Sequence, residues 1–384
     1  MSLFIKICSI DEDGRFGGPQ RRIIETAKAL KKHGIETHVV YPIYDSEKFS
    51  RELLNAQIVN TSLNITRPTK ESIVFIRYVL TFPLDILRIY LFFKKYKFDL
   101  IQINGTPHYK GALAAKIAKI PVIWVMEDTQ TPSIIKKITI LLVKLLATGI
   151  IVTGRCVYDY YIRGSMLKNK IYSEIPAPVD TNIFNPQRVI ADKKMTLIRG
   201  RKIVTVSGIV PVKGLEYFIE MASGLLQKYD DLVFFIAATK LNSQKKYYKY
   251  INELVDSRRL SVNNFIFSGM VDDIPSFLCA ANIFVCTSVS EAGPMTVWEA
   301  MSMAKAIVTT DVGSVKQYIK DGVSGFIVPV MDPKALILKV EELLNNPDLV
   351  KKMGIMARLT AQKELDVSVI ADKYALFYKR ILMI

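Results

Sequence analysis

Cysteine and histidine are scarce in this chain, and long uncharged apolar runs are missing. The four cysteines among 384 residues, Cys8, Cys156, Cys279 and Cys286, are scattered with no Cys-x-x-Cys pair. That excludes a disulfide framework and a cysteine-held zinc site, and it fits a reducing compartment. The three histidines, His33, His38 and His108, add no metal-ligand cluster, so no metal is expected. No run of about 18 uncharged apolar residues occurs, which argues against a membrane-spanning helix. The nearest candidate, Ile138 to Val152, is interrupted by Lys144 and splits into a helix and a strand, Gly149-Ile150-Ile151-Val152. Met1 to Cys8 lacks the basic start, apolar core and small-residue cleavage site of a secretory leader, and reads as a strand. The expectation is a cytoplasmic protein.

Acidic residues are also in deficit. Thirty-six Asp and Glu against 52 Lys and Arg leave a net charge of +16. Such a charge attracts nucleic acid, acidic lipid headgroups or phosphorylated small molecules. RRM, zinc-finger and KH patterns are absent, so no nucleic-acid partner is expected. The phosphate-cradling orders G-x-G-x-x-G and G-x-x-x-x-G-K-[ST] are absent as well.

What is present suits two α/β domains. Half the residues are apolar and 23% are charged, enough to bury two large cores. After the first strand, Asp11-Glu12-Asp13-Gly14-Arg15-Phe16-Gly17-Gly18-Pro19 makes a glycine-rich turn. Pro19 then opens a helix with Ile23, Ile24, Ala27 and Leu30 on one face, closed by Gly34. With the strand Glu36 to Tyr41 this is a βαβ unit. The Asp11-Glu12-Asp13 run reads as a solvated loop, only superficially like a metal-binding motif. Two further strands, Asp99 to Asn104 and Pro121 to Met126, end in Gly105-Thr106-Pro107-His108 and in Glu127-Asp128, placing polar groups on one sheet edge.

Ser72 to Lys97 is strongly apolar yet ringed by base. From Arg67 to Lys97 there are seven basic and two acidic residues. Two readings fit: a helix lying in a membrane interface, or one packed on the sheet with a basic outer face. Ile134 to Leu146, with Lys136, Lys137 and Lys144, repeats the pattern.

Pro176 to Pro186 can continue neither sheet nor helix and is read as a linker. Beyond it the pattern restarts with the strand Lys202 to Ser207, the loop Gly208 to Leu215, a helix Glu216 to Leu226 and a strand Val233 to Ala237. Lys213 sits beside a helix start, a place suited to phosphate. Strands over Phe265 to Val271 and Ala306 to Thr310 follow, then the turn Asp311 to Ser314.

The most informative stretch is Ala281 to Met303. Ala281 to Cys286 reads as a buried strand, and Val297 to Met303 as a helix whose first turn holds Gly293 and Pro294. Open α/β sheets bind ligands where such a strand ends and a helix begins, and the free N–H groups of the helix start favour an anionic or hydroxyl-rich guest. Glu291 in the loop and Glu299, placed about two turns along the helix, frame the turn. Taken alone, each glutamate also fits a structural role, as a helix-dipole partner or in an ion pair.

Six features in order resemble the retaining glycosyltransferases of family 4. They are the Gly17-Gly18 turn, Val179 to Phe184, Gly208 with Pro211-x-Lys213-Gly214, Gly269 with Asp272-Asp273-Ile274, the Glu291/Glu299 pair, and Asp321 to Val328. The resemblance implies the GT-B fold, two Rossmann-like domains facing across a donor-binding cleft. The expected domains are 1–182, with a returning C-terminal helix over 370–384, and 183–369. It further implies that Glu291 holds hydroxyls of the transferred sugar and Glu299 the ribose. The backbone around Gly293, Met295 and Thr296 would face the diphosphate. Lys213 would neutralise the leaving group, and the Gly17–Gly18 loop would close over the donor. The backbone of Gly269, Met270 and Val271 would meet the base.

Some positions depart from the family pattern. Ile209 stands where an arginine is usual, Glu127-Asp128 where His-Asp is common, and Ala304 and Gln317 replace commoner Gly and Glu. His108, Glu127 and Asp128 are then acceptor-side candidates, and Glu291, Lys213 and His108 the catalytic ones. The expected activity is hexosyl transfer with retention, from a nucleotide-sugar to a hydroxyl, without metal or cofactor. The basic apolar segments suggest a lipid-linked saccharide acceptor and peripheral contact with an anionic membrane at its inner face. A nucleotide-sugar or polyanion binding protein of the same fold is the alternative.

Overall fold

The computed structural model describes residues 4–67, 72–239 and 244–384. Two compact units divide the chain: Met1–Pro178 with Val367–Ile384, and Val179–Asp366. Val179 to Asn182 therefore group with the second unit, and Val367 to Val369 with the first.

The first unit begins with β1 (Ile5–Asp11), α1 (Gly18–Leu30), β2 (Ile35–Pro42), α2 (Glu47–Asn55) and β3 (Asn60–Leu63). It continues with α3 (Ser72–Tyr96), β4 (Leu100–Asn104), α4 (Lys110–Ile117), β5 (Val122–Met126), α5 (Ser133–Leu146), β6 (Gly149–Val152), α6 (Arg155–Tyr161) and β7 (Ile171–Glu174). The sheet order is β3-β2-β1-β4-β5-β6-β7, all pairs parallel. β4, β5 and β6 are buried along their whole length, as expected of central parallel strands covered by helices on both faces. The order reverses between β1 and β4, so the ends of those strands flank a crevice.

The second unit runs α7 (Lys193–Leu197), β8 (Arg201–Gly208), α8 (Leu215–Leu226), β9 (Leu232–Thr239), α9 (Lys245–Ser257), β10 (Phe265–Gly269), α10 (Ile274–Ala280) and β11 (Ile283–Cys286). Then come α11 (Met295–Ser302), β12 (Ala306–Thr310), α12 (Val315–Tyr318), β13 (Phe326–Val328), α13 (Pro333–Leu344) and α14 (Pro347–Thr360). Its parallel sheet has the order β10-β9-β8-β11-β12-β13, reversing between β8 and β11. The last helix, α15 (Val367–Leu382), belongs to the first unit. It packs on α1, with Tyr374 and Tyr378 in one core with Ile5, Ile7 and Leu100.

Several expectations need correction. The strand Phe265 to Val271 stops at Gly269, so Met270 and Val271 lie past it. α11 starts at Met295, past the Gly293-Pro294 turn, which puts Glu299 one turn into the helix, not two. Asp11 and Glu12 are buried rather than solvated, because the turn folds them inward onto their own hydrogen-bond partners. Asp11 Oδ2 accepts from the Gln20 amide at 2.9 Å, and Glu12 Oε1 accepts from Gly111 N–H at 3.2 Å. Met1 to Leu3 of the expected first strand, and Lys70 and Glu71 of the basic segment, lie outside the described residues.

α3 is fastened to α4 from within. Lys110 Nζ meets Asp85 Oδ2 at 2.7 Å with both side chains fully enclosed, and Thr66 serves both partners. The opposite face of α3 is bare. Ile76, Leu80, Leu84, Leu87 and Leu91 recur at helical spacing and are exposed. On α5 the stripe Ile134, Ile138, Leu141 and Leu145 is exposed in the same way. α4 packs on both helices. Right-handed crossovers put all three on one face of the sheet.

Ala304, where the family pattern favours glycine, ends α11 with a φ of 54°. Its β-carbon sits in the left-handed region, at roughly 1–2 kcal/mol for an L-residue. Glycine removes that strain but gives the unfolded chain more freedom, worth about 0.4–1 kcal/mol. Ala304→Gly is expected to raise unfolding stability by about 0.5–1 kcal/mol, the difference of those two effects, read from denaturant midpoints.

Candidate active site

Lys213, Glu291, Gly293, Met295, Thr296 and Glu299 of the second unit lie on the loops and helix start at its sheet reversal. β8, β11 and β12 are neighbours, so the loops after them lie side by side at their carboxyl ends. The loop after β8 carries a 3-10 turn, Pro211–Lys213, then Gly214 at φ 59°. A β-carbon on Gly214 would stand 2.3 Å from Thr287 O, so only glycine permits this approach. Val289 N–H donates to Val212 O at 2.8 Å, and Thr287 Oγ1 donates to Lys213 O at 3.1 Å. On the other side Gly313, at φ 57°, would bring a β-carbon within 2.5 Å of Ala292 O. Ser314 N–H donates to that carbonyl at 3.1 Å. The segment 287–294 is thus gripped from both flanks.

The grip brings Lys213 and Glu291 together. Lys213 Nζ donates to Glu291 Oε1, and Ser288 Oγ donates to the same oxygen at 2.9 Å. Burial would discharge the Lys213 ammonium, but the Glu291 carboxylate more than offsets this and raises its pKa. α11 begins just beyond. Its first bonds run from Val297 and Trp298 N–H to Pro294 O, so the N–H groups of Met295 and Thr296 precede the ladder. Glu299 follows one turn later and is enclosed, 3% exposed. Gly269, at φ 68°, ends β10 on the sheet edge, two strands from β8, and Met270 beside it is exposed. Ile209, in the arginine position of the family pattern, is buried in the apolar core.

In the first unit the acceptor-side candidates all hold internal bonds. Glu127 pairs with Arg22 of α1 at 2.8 Å. Burial raises its pKa, with Arg22 opposing. Asp128 Oδ1 accepts from Gln130 and Thr131 N–H, both at 3.1 Å, and from the Thr131 and Tyr161 hydroxyls. His108 is buried, its Nδ1 accepting from Glu12 N–H at 3.3 Å. Its ring lies where a β-carbon on Gly105 would be, 2.6 Å away. Gly17 precedes α1 with extended backbone, and its carbonyl accepts from Arg21 N–H at 3.0 Å. Neither the backbone nor a close neighbour demands glycine there, since a β-carbon would meet nothing nearer than 3.5 Å. Glu12 is pushed up to about 7 by burial, against the pull of Lys110. Among the described residues, no group of three or more His, Cys, Asp or Glu could hold a metal ion.

Reading the sequence put Gly214 in the Lys213 motif and Gly313 in a ligand-edge turn, but missed Ser288 and Thr310 as parts of one site with them. Each stands at a strand end, but only the strand order brings them together.

The model for glycosyl transferases group 1 matches residues 191–360, and that for Glycosyltransferase Family 4 matches residues 16–183. The solved structure of a glycosyltransferase from Rickettsia africae is similar over 99% of both chains, with a TM-score of 0.81 at 20% identity. Anabaena Alr3699/HepE, solved with UDP, aligns over 98% of this chain and all of its own, with a TM-score of 0.82 at 19% identity. The chain belongs to the group 1 glycosyltransferases and has their GT-B fold of two Rossmann-like domains.

Two curated relatives add detail. The alpha-D-kanosaminyltransferase of Streptomyces kanamyceticus is 28% identical over 180 residues, 47% of this chain and 45% of that protein. The chain thus spans less than half the length of that relative. The UDP-Gal:alpha-D-GlcNAc-diphosphoundecaprenol alpha-1,3-galactosyltransferase of Escherichia coli is 23% identical, covering 75% of this chain and 80% of that protein.

Burial holds His108 down to about 4, against an ordinary 6.5, with Asp13 opposing. The unfolded chain therefore binds more protons between those values. The stability owed to neutral His108 is full above about 6.5 and lost as pH falls toward 4. An NMR titration is expected to show the His108 ring unchanged down to pH about 5.

Proposed function

We propose that this protein transfers a hexose from a nucleotide-sugar to a hydroxyl acceptor, retaining the configuration at the anomeric carbon. The observation that carries the reading is the Lys213–Glu291 pair at the β8/β11 reversal, next to the start of α11. When the bond between the anomeric carbon and the diphosphate breaks, the electron pair leaves with the diphosphate and the sugar becomes oxocarbenium-like. Lys213 and the N–H groups of Met295 and Thr296 stabilise that anion as it forms. Glu291 accepts hydrogen bonds from sugar hydroxyls. Glu299 takes the ribose after a small opening of its enclosed position. Gly269, Met270 and Val271 offer backbone to the base.

The acceptor oxygen attacks the face that the diphosphate leaves, and its proton passes to a leaving phosphate oxygen. No carboxylate is assigned as nucleophile, and neither metal nor cofactor is called upon. His108, Glu127 and Asp128 shape the acceptor side, through the loops they order.

The acceptor is read as a lipid-linked saccharide used in surface polysaccharide or glycolipid assembly. Support comes from the Escherichia coli relative, whose name specifies a diphosphoundecaprenol acceptor. The exposed apolar stripes of α3 and α5, with Arg77, Lys94, Lys95, Lys137 and Lys144 around them, suit an anionic bilayer surface. Among the described residues no helix is long and apolar enough to cross a membrane. The protein is then peripheral, at the inner face of the cell membrane.

The buried Ile209 favours a second reading, a catalytically weak nucleotide-sugar binder. Turnover separates the two. Against a panel of UDP-, GDP- and ADP-hexoses, one nucleotide class is expected to raise Tm, and Lys213→Ala to lower transfer by about 10²–10³-fold. Glu291→Ala should abolish transfer with the fold intact. Binding without transfer or hydrolysis would select the second reading.

The membrane face has its own test. Sedimentation with phosphatidylglycerol vesicles is expected, little with phosphatidylcholine, and Leu80→Asp with Leu84→Asp should release the protein. Retention by that variant would remove α3 from the contact.

A further inference from the structure

The structure assigns to Ser288 the task of holding the Glu291 carboxylate in place when Lys213 turns to the donor diphosphate. The inference rests on the reading of Lys213 and Glu291 given above. It makes Ser288 a positioning residue, acting through Glu291 rather than on the reacting atoms.

Both donors to Glu291 use the same oxygen. Lys213 Nζ and Ser288 Oγ meet Oε1, and among the described residues Oε2 receives no hydrogen bond. Oε2 is therefore the oxygen left to accept from a sugar hydroxyl. Lys213 stands on a flexible four-carbon stem, and a diphosphate carries more negative charge than one carboxylate. A bound donor draws the ammonium away, and Glu291 keeps only its serine.

Ser288 lacks that freedom. It is buried, its side chain is short, and its carbonyl accepts from Thr310 Oγ1 of β12 at 2.6 Å. Its residue is thereby tied to the adjacent strand as well as to its own. Cys286 Sγ lies 3.5 Å from Ser288 Oγ as a donor. Burial, reinforced by the Glu291 charge, raises the Cys286 pKa and keeps it a thiol. With that S–H supplied to its oxygen, the Ser288 hydroxyl directs its own hydrogen to Glu291.

The test compares wild type with Ser288→Ala and Glu291→Ala, using whichever member of the UDP-, GDP- and ADP-hexose panel is turned over. Ser288→Ala keeps the backbone bond to Thr310. It is expected to lower kcat tenfold or more, the worth of a lost hydrogen bond to a charged group. Affinity for the free nucleoside diphosphate should stay within about twofold, because that ligand engages Lys213 and not Glu291. The loss should thus fall on kcat and not on that affinity, and Ser288→Thr, which keeps the hydroxyl, should restore it. A purely structural serine would lower Tm and leave kcat below the melt unchanged.

Wild-type kcat in Ser288→Ala, with Glu291→Ala inactive, would overturn the assignment to Ser288 alone. Full activity in Glu291→Ala, or no panel member bound or turned over, would instead overturn the functional reading beneath it. Should Ser288→Ala melt below the assay temperature, Ser288→Thr retains the hydroxyl and is expected to keep kcat within about twofold of wild type. A tenfold loss in a folded Ser288→Thr overturns the assignment.

Discussion

Two approaches of backbone to backbone, too close for any β-carbon, hold the second unit's binding edge together. Gly214 lies against Thr287 O and Gly313 against Ala292 O, each in the left-handed region. Between them the segment 287–294 has one path, and along that path Lys213, Ser288 and Glu291 meet. A residue with a side chain at either glycine would push the loop outward, separating the ammonium from the carboxylate. The charged pair depends on the glycines, not the reverse. A part-buried Lys–Glu pair gains little beyond the cost of desolvating its charges, too little to hold a loop against such a clash.

The two sheet reversals differ in electrical character. In the second unit a lysine and a helix start stand over the crevice, a setting for an anion. In the first unit β1 ends in Asp11 followed by Glu12, and β4 ends in Asn104. Burial raises the pKa of both carboxyls. Carboxyls held toward their neutral form donate as well as accept hydrogen bonds, a chemistry matched to hydroxyls rather than to phosphate. One architecture, used twice, thus presents different chemistry at its two reversals.

Much of this was legible in the sequence, and the losses have physical causes. The apolar parallel strands and the Gly-Pro helix start before α11 declare themselves through local composition, and the order of motifs gave the family. β3 (Asn60–Leu63) is polar and lies at a sheet edge, so it has no apolar alternation to detect. Asp11 and Glu12 look like surface residues in the one-dimensional chain. Only the distant partners Gln20 and Gly111 account for their burial. His108 looked like a free acid–base group for the same reason, since Glu12 N–H reaches it from 96 residues away. Ser288 was visible only as a hydroxyl at a strand end. Its role depends on β8 and β12 flanking β11, and strand order is not written in any local pattern.

The placement of α15 sets the order in which the halves can be finished. Residues 179–366 form a unit whose every part has been made before α15 emerges from the ribosome. The first unit waits longer, because Tyr374, Phe377 and Tyr378 belong to the same core as Ile5, Ile7 and Leu100. The half translated first is therefore completed last, and during synthesis its β1 and β4 face an empty slot. A nascent chain stalled before residue 367 would carry a whole second unit and an open first one, with apolar surface for a chaperone to cover.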